Sequence, residues 1–348
     1  MAEKTIFGLD EFKDLKAGYE ARKSRFADYW RYYKAEYKGT ANIFTSAAGQ
    51  YVSSLIQSSV KPLFTPLARA VNIDVALIPG DWPPVDEQYA PALAALWNGS
   101  NWDTEGDLFV RYGVAMGETG VRIVDDRQGG RVLLAPARPD TFVTRPTSYY
   151  DPTPAQAIFI NVRQEGGDEV EYAEVIEPDR VRTFKNGQPE GIGGRPAEYA
   201  NELGFVPLVV GKHDDGTGRG EPTFDDTITS LDMVNRQATY MAQIIERHAE
   251  PQWAAFGAEP GDLEKSGDAV WFFPEGSDIK AVLAAVDFAG LLDFIREIKT
   301  EMKESLPELA FAKLVGVERV AAATIELQMA EAVFKIRRLR KVYDQTLA

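Results

Sequence analysis

Cysteine is absent from the 348 residues. Its absence excludes disulfides, thiolate metal sites and cysteine nucleophiles, and it fits a chain that matures in a reducing cytoplasm. Histidine occurs only as His213 and His248. No run approaches the roughly eighteen uninterrupted apolar residues of a membrane helix, so no membrane partner is expected. The N-terminal MAEKTIFGLDEF lacks a secretory apolar core. No G-x4-G-K-[ST] phosphate loop occurs, which removes the usual machinery of nucleotide hydrolysis. Positive charge is also in deficit, 38 Lys and Arg against 53 Asp and Glu, for a net charge of -15. That balance argues against a general nucleic-acid adhesive held by phosphate contacts.

What is present is an ordinary globular composition, 45% hydrophobic and 26% charged, in a chain long enough for two or more structural bodies. The most organised stretch runs from His213 to Glu250. Gly216, Gly218 and Gly220 loosen a loop, Pro222 suits a first helical turn, and Thr223 can cap a helix with Asp225 and Asp226 near its positive end. Phe224, Ile228, Leu231, Val234, Ala238, Met241, Ile245 and His248 then recur at steps of three and four. Pro251 ends a helix of roughly 28 residues, about 40 Å long, which suits packing beside copies of itself or spanning two bodies.

Before it, Asp10 to Lys38 reads as an amphipathic helix rich in aromatics. Its bases and aromatics can also suit single strands, but the interleaved acids nearly cancel the charge. Ala47 to Ala70 is helical and broken by Pro62 and Pro66, whereas Val71 to Ile78 alternates like a strand. Gln88 to Trp97 and Trp102 to Met116 read as helices. Gly117 to Val124 and Arg131 to Ala135 form a hairpin around Asp125 to Gly130. TFVT, AIFINVRQ, EVEYAEVIE, RVRTFK and FVPLVVGK follow as short strands over Thr141 to Val210.

After the long helix, QWAAFG, AVWFF and DIKAVL are strand-like runs in a body too small to fold securely alone. Phe288 to Leu306 is a return helix ending at Pro307. Ala310 to Arg319 is a connection that no core requires, and Ile325 to Leu347 is a last helix. Its basic run from Lys335 to Lys341 suits dipole complement and ion pairing between subunits, with a phosphate contact as the other reading.

Candidate chemistry is sparse. His213 beside Asp214 and Asp215 can bind a metal or act as acid and base, but a solvated turn is favoured. His248 reads as a packing residue or cap. Asp125-Asp126 and Asp225-Asp226 look like a hairpin turn and a first helical turn, and the Glu-x-Lys triplets lie on helices without a matched acid. No enzyme activity, catalytic residue, cofactor or metal site is expected.

Gly218 to Arg236, GRGEPTFDDTITSLDMVNR, resembles the segment by which tailed-bacteriophage portal proteins of the siphophage type enter their first stem helix. Tyr32-Tyr33 to Gly39 resembles the helix end near the start of many portals. Pro307-Glu308-Leu309 resembles the end of their second stem helix, with small residues Ala321 to Thr324 where the family has a Ser-Gly-Ala-like segment. The resemblance implies an α+β subunit: a mixed wing at 1–222, stem helices at 223–250 and 286–306, a small β-rich clip at 251–285, a tunnel loop at 307–320, and a third long helix at 321–348 returning to the wing. Of the crown that portals usually carry next, no counterpart is expected.

The same resemblance implies a non-enzymatic, homo-oligomeric ring of twelve subunits, assembled in the host cytoplasm and resident at one capsid vertex of the virion. Its partners would be double-stranded DNA, the terminase large subunit, major capsid and scaffolding proteins, and a head-tail adaptor. Phe311, Lys313, Leu314, Val315, Gly316 and Arg319 would line the tunnel. Asp225, Asp232, Glu246 and Glu250 would give the channel an acidic, sliding wall. Trp253, Phe256, Trp271, Phe272 and Phe273 would be buried by neighbouring clips. Other readings are a metal-dependent phage DNA nuclease built on His213, Asp214 and Asp215, or a non-conducting head-completion or minor capsid protein.

Overall fold

Aromatic residues seven apart organise the first helix, α1 (Lys13–Lys34), in a computed structural model of the chain: Tyr19, Phe26 and Tyr33 fall on one stripe and are buried. The structure describes residues 5–35, 64–79, 89–126, 129–148, 150–151, 153–213, 218–249, 252–256, 278–282, 288–309 and 322–347, with side chains for all but 242–249, 252–256, 278–282 and 322–328 of these. Helix α1 starts later than Asp10 because two short 3-10 turns, Ile6–Gly8 and Asp10–Phe12, precede it and bury Ile6, Phe7 and Phe12.

The strand expected at Val71 to Ile78 is instead part of α2 (Leu67–Leu77). Val71, Ile73 and Val75 alternate, but the buried set is Leu67, Ala70, Val71, Asp74, Val75 and Ile78. Its steps of three and one are helical, and burial of Asp74 defeats the alternating pattern. Helices α3 (Ala90–Gly99) and α4 (Trp102–Met116) follow. Gly117, at φ 87°, ends α4 in the left-handed region.

The chain is α+β. β1 (Glu118–Asp126) and β2 (Arg131–Ala137) form the expected hairpin, and β9 (Leu208–Lys212) joins β1 on its other side, giving the antiparallel order β2-β1-β9. The turn is set by Asp126, which accepts from Gly129 N at 3.0 Å and pairs with Arg131 at 3.1 Å.

A second sheet holds β3 (Phe142–Pro146), β4 (Pro154–Glu165), β5 (Asp168–Ile176), β6 (Arg180–Lys185) and β7 (Gln188–Pro189) in that order, with β8 (Glu198–Ala200) also on β6. The period of two sorts its faces. Ile158, Ile160, Ala173 and Val175 pack with Ile6, Phe7, Phe12 and Tyr19, whereas Ala157 and Ile176 join Phe142, Val206 and Leu208. The two-residue β7 and three-residue β8 are too short to carry a sequence period, so neither was expected.

Two compact units divide the chain. The first comprises Met1–Lys38, Pro66–Asp226 and Ser305–Ala348; the second comprises Gly39–Thr65 and Thr227–Glu304. The first contains both sheets, α1 to α4 and the last helix, α7 (Ala322–Leu347). The second contains α5 (Ile228–Ala249), β10 (Gln252–Phe256) paired antiparallel with β11 (Asp278–Val282), and α6 (Phe288–Ser305).

Helix α5 is 22 residues long, shorter than the sequence suggests, because Asp225–Thr227 forms a 3-10 turn ahead of it. On α6, Ile295, Ile298 and Met302 are buried at steps of three and four. Asn235 of α5 clamps the Phe64 backbone from both sides, accepting from its N–H at 2.9 Å and donating to its carbonyl at 3.4 Å. Lys299 lies 4.4 Å from the centre of the Phe64 ring. Among the described residues no helix is long and apolar enough to cross a membrane.

Candidate functional site

The first unit is left after Asp226 and resumed at Ser305, and a buried polar cluster of that unit gathers the segments on either side of this insertion. On the outgoing side, the glycine loop is seated by backbone geometry. Gly117 O accepts from His213 N at 2.8 Å, His213 O from Glu221 N at 2.9 Å, and Val114 O from Thr223 N at 3.0 Å. Gly218 and Gly220 both take positive φ, 76° and 70°. A Cβ on Gly220 would overlap the Gly117 carbonyl oxygen, and one on Gly117 would lie 2.6 Å from the Gly220 oxygen. Two glycines are therefore required at this crossing of backbones.

Thr223 comes next, and its side chain does not serve as the expected helix cap. Thr223 Oγ1 donates to Asp74 Oδ2 of α2 at 2.7 Å and accepts from Lys335 Nζ of α7 at 2.6 Å. Lys335 Nζ also donates to Glu308 Oε2 at 3.0 Å. Glu308 lies in the 3-10 turn at 307–309, directly after the chain returns. One lysine thus holds the last residues before the insertion and the first after it.

Asp74 and Glu308 are both fully buried, at 0% exposure. Asp74 Oδ1 and Glu308 Oε1 have no hydrogen-bond partner among the described residues. Burial, followed by the charge of Glu308, pushes the Asp74 carboxyl up to about 7 against the opposing pull of Lys335 and the Thr223 hydrogen bond.

His213 lies beside this cluster and is not the solvated turn that its glycine-rich surroundings suggest. It is 1% exposed, and its Nδ1 shares a 2.8 Å hydrogen bond with the Tyr343 hydroxyl of α7. Burial, then the charges of Lys335 and Arg338, lowers its pKa to about 3, so the ring is neutral across the physiological range. Burial and the Asp74 charge push the Tyr343 hydroxyl upward. Tyr343 stands edge-on to Phe109, with 5.6 Å between ring centres, and fits because α4 has Gly113 beneath it, where a Cβ would overlap the hydroxyl.

The basic run of α7 is therefore divided in its roles. Lys335 faces the cluster, and Arg340 caps the end of α2 by donating to the Leu77 and Ile78 carbonyls at 2.7 and 3.0 Å. Arg337, Arg338 and Lys341 are exposed.

The other anticipated residues are dispersed. Asp225 sits in the 3-10 turn and is hydrogen-bonded to Tyr29 of α1. Asp232 is half-buried on α5. Glu246 lies on α5 with its side chain outside the described residues, as do those of Trp253 and Phe256 on β10; Glu250, Trp271, Phe272, Phe273 and the whole of Phe311 to Arg319 also fall outside them. Asp214 and Asp215 do likewise.

A cavity of about 1040 Å³ opens between the sheets of the first unit, lined by Arg122, Glu174, Arg195, Tyr199 and Asn201 among others. Its polar groups are committed to structure. Arg122 pairs with Glu174 at 2.7 Å, Arg195 donates to the Asp125 carbonyl at 3.2 Å, and Asn201 bridges the Glu177 and Phe205 carbonyls at 2.7 and 2.8 Å. Among the described residues no group of three or more His, Asp or Glu is placed to hold a metal ion.

Comparison with solved structures finds weak likenesses. A chain from the virion of a native gene transfer agent (GTA) particle is 14% identical, with 75% of this chain and 70% of that chain covered and a TM-score of 0.42. A chain from the neck of the native GTA particle computed with C12 symmetry is 13% identical, covering 87% and 85%, with a TM-score of 0.47. One from the neck of the empty particle computed with C6 symmetry is 14% identical, covering 88% and 81%, with a TM-score of 0.46. No protein-family model and no curated protein matches the chain. Likenesses at these scores establish no family and carry no weight in the functional reading.

Proposed function

We propose that the chain is the subunit of a portal ring, a channel at one capsid vertex through which double-stranded DNA is packaged and later ejected. The observation that carries this reading is the form of the insertion. The first, α+β unit is left at Gly39–Thr65 and again at Thr227–Glu304; the second interruption holds a helix, a two-stranded hairpin and a return helix, and a third long helix follows it. That order, with the motif-level resemblance at Gly218 to Asn235 and Pro307 to Thr324, supports assigning wing, stem, clip, stem and tunnel loop to 1–222, 223–250, 251–285, 286–306 and 307–320. The last helix, 321–348, then belongs with the wing.

In this reading twelve copies enclose the channel. They dock the terminase large subunit during packaging, meet major capsid and scaffolding proteins at the vertex, and hold the head-tail adaptor afterwards. The subunit itself performs no catalysis and needs no cofactor. Burial of His213 against Tyr343 weighs against the metal-nuclease alternative, because a general base or metal ligand needs access to its substrate or ion.

The tunnel loop supplies the direct test. Replacing Phe311 to Glu318 by a shorter glycine linker should leave ring assembly and capsid incorporation nearly intact while in vitro DNA packaging or retention falls sharply. Packaging at the wild-type level would remove the loop from the channel and, with it, this account of how DNA is held.

A further inference from the structure

The polar cluster of the first unit has an uneven charge count. Two fully buried carboxyl groups, Asp74 and Glu308, share one buried-facing cation, Lys335, and each has one oxygen without a hydrogen-bond partner among the described residues. A second full negative charge in such a site is costly, because neither orphan oxygen has a donor to replace water. The low-energy state keeps a proton on one carboxyl group. In that state Lys335 binds Glu308 and Thr223, and Thr223 binds Asp74.

These bonds join Thr223, three residues before the chain leaves the unit, to Glu308, three residues after it resumes at Ser305. We propose that Asp74, Thr223, Lys335 and Glu308 form a one-proton latch that holds the outgoing and returning crossings together and releases both when the proton passes to solvent. The latch does not rest on the ring reading, since all its members belong to one compact unit of one chain.

Other charged groups around it are accounted for. From α7, Tyr343 feels the charge of Asp74, and Arg340 is committed to the end of α2. From the end of β9, His213 feels Lys335 and Arg338 but stays neutral. On the far face of α2, Arg111 of α4 and Tyr33 of α1 both engage Asn72 and not Asp74. From the 3-10 turn before α5, Asp225 is tied to Tyr29. Asp74 is the member of the set whose proton is lost near neutrality.

Hydrogen exchange of the full chain, read by mass spectrometry at pH 6 and pH 8.5 with rates normalised to the intrinsic amide rate, tests the latch. Peptides covering 218–228 and 305–309 report the two crossings. In the wild type, protection of both should fall together by up to about ten-fold between pH 6 and pH 8.5, the factor set by an acid group raised from 3.8 to about 7. Asp74→Asn, which keeps an acceptor for Thr223 but cannot ionise, should retain the pH 6 protection at both pH values. Lys335→Met should lose it at both.

Wild-type protection that is equal at the two pH values would overturn the proposal. So would an Asp74→Asn variant as pH-sensitive as the wild type, or one crossing loosening without the other. If Lys335→Met does not fold, the comparison of wild type with Asp74→Asn still decides.

Discussion

Replacing Gly220 by Ala tests whether the crossing of backbones at the start of the insertion is a real constraint. Gly220 has φ 70°, where an L side chain costs about 1–2 kcal/mol. Its new Cβ would also overlap the carbonyl oxygen of Gly117. That oxygen belongs to backbone already fixed by His213 N, so it cannot swing away as a side-chain tip would. Overpacking of this kind adds about 1–3 kcal/mol, for a total loss of about 2–5 kcal/mol.

Gly193 provides the control. Its φ is 63°, but nothing lies within 4 Å of the Cβ it would gain, so Gly193→Ala should cost only the conformational term of about 1–2 kcal/mol. Urea unfolding of the two variants isolates the steric part as the difference between them. Equal losses would show that Gly117 and Gly220 do not meet as described.

Buried polar groups give three further predictions. At pH 8, Asp74→Asn should stabilise the chain by about 2–4 kcal/mol, since holding a carboxyl group at about 7 instead of its ordinary 3.8 costs up to about 4 kcal/mol once pH exceeds both values. The wild-type contribution of Asp74 falls as pH rises from about 4 to 7, whereas that of His213, depressed from 6.5 to about 3, falls as pH drops through the same range. The two slopes oppose, so Asp74→Asn should unmask stability that rises by up to about 1.4 kcal/mol per pH unit between pH 4 and 6.5; a flat profile for the variant in thermal unfolding would refute this. Asn235→Ala should cost about 1–3 kcal/mol in urea unfolding because the Phe64 N–H and carbonyl lose their partner, and a loss below about 0.5 kcal/mol would contradict the clamp.

Elements with one unambiguous period were legible in the sequence. Trp102–Met116 has its apolar residues at helical steps and a glycine immediately after it, and the β1 to β2 hairpin has an aspartate-rich turn between two apolar runs. Val71 to Ile78 reads as a strand because Val71, Ile73 and Val75 alternate, and only burial of Asp74 selects the helix. An acidic residue in a core is the last one that a hydrophobic pattern would count.

The polar cluster was hidden for a related reason. Thr223 followed by Asp225 and Asp226 has the composition of a helix start, and nothing local announces that its hydroxyl is taken by Asp74, 149 residues away, and Lys335, 112 away. The neighbours of His213 are those of a solvated turn, while its partner, Tyr343, is 130 residues distant. Asn235 stands in the stretch Gly218 to Arg236 that resembles a portal stem entry, but its contact with Phe64 spans 171 residues. Periodicity reports which face is buried; it does not report which distant polar group meets that face.

Imaging of the purified full-length chain by cryo-electron microscopy, with its rotational symmetry determined from end-on views, tests the proposed function most directly. The account predicts closed rings, twelve-fold in the assembled particle, with a central opening wide enough for duplex DNA and the small hairpin of each subunit against its neighbour. A compact monomer at every concentration tested, or a closed oligomer without a central opening, would contradict it.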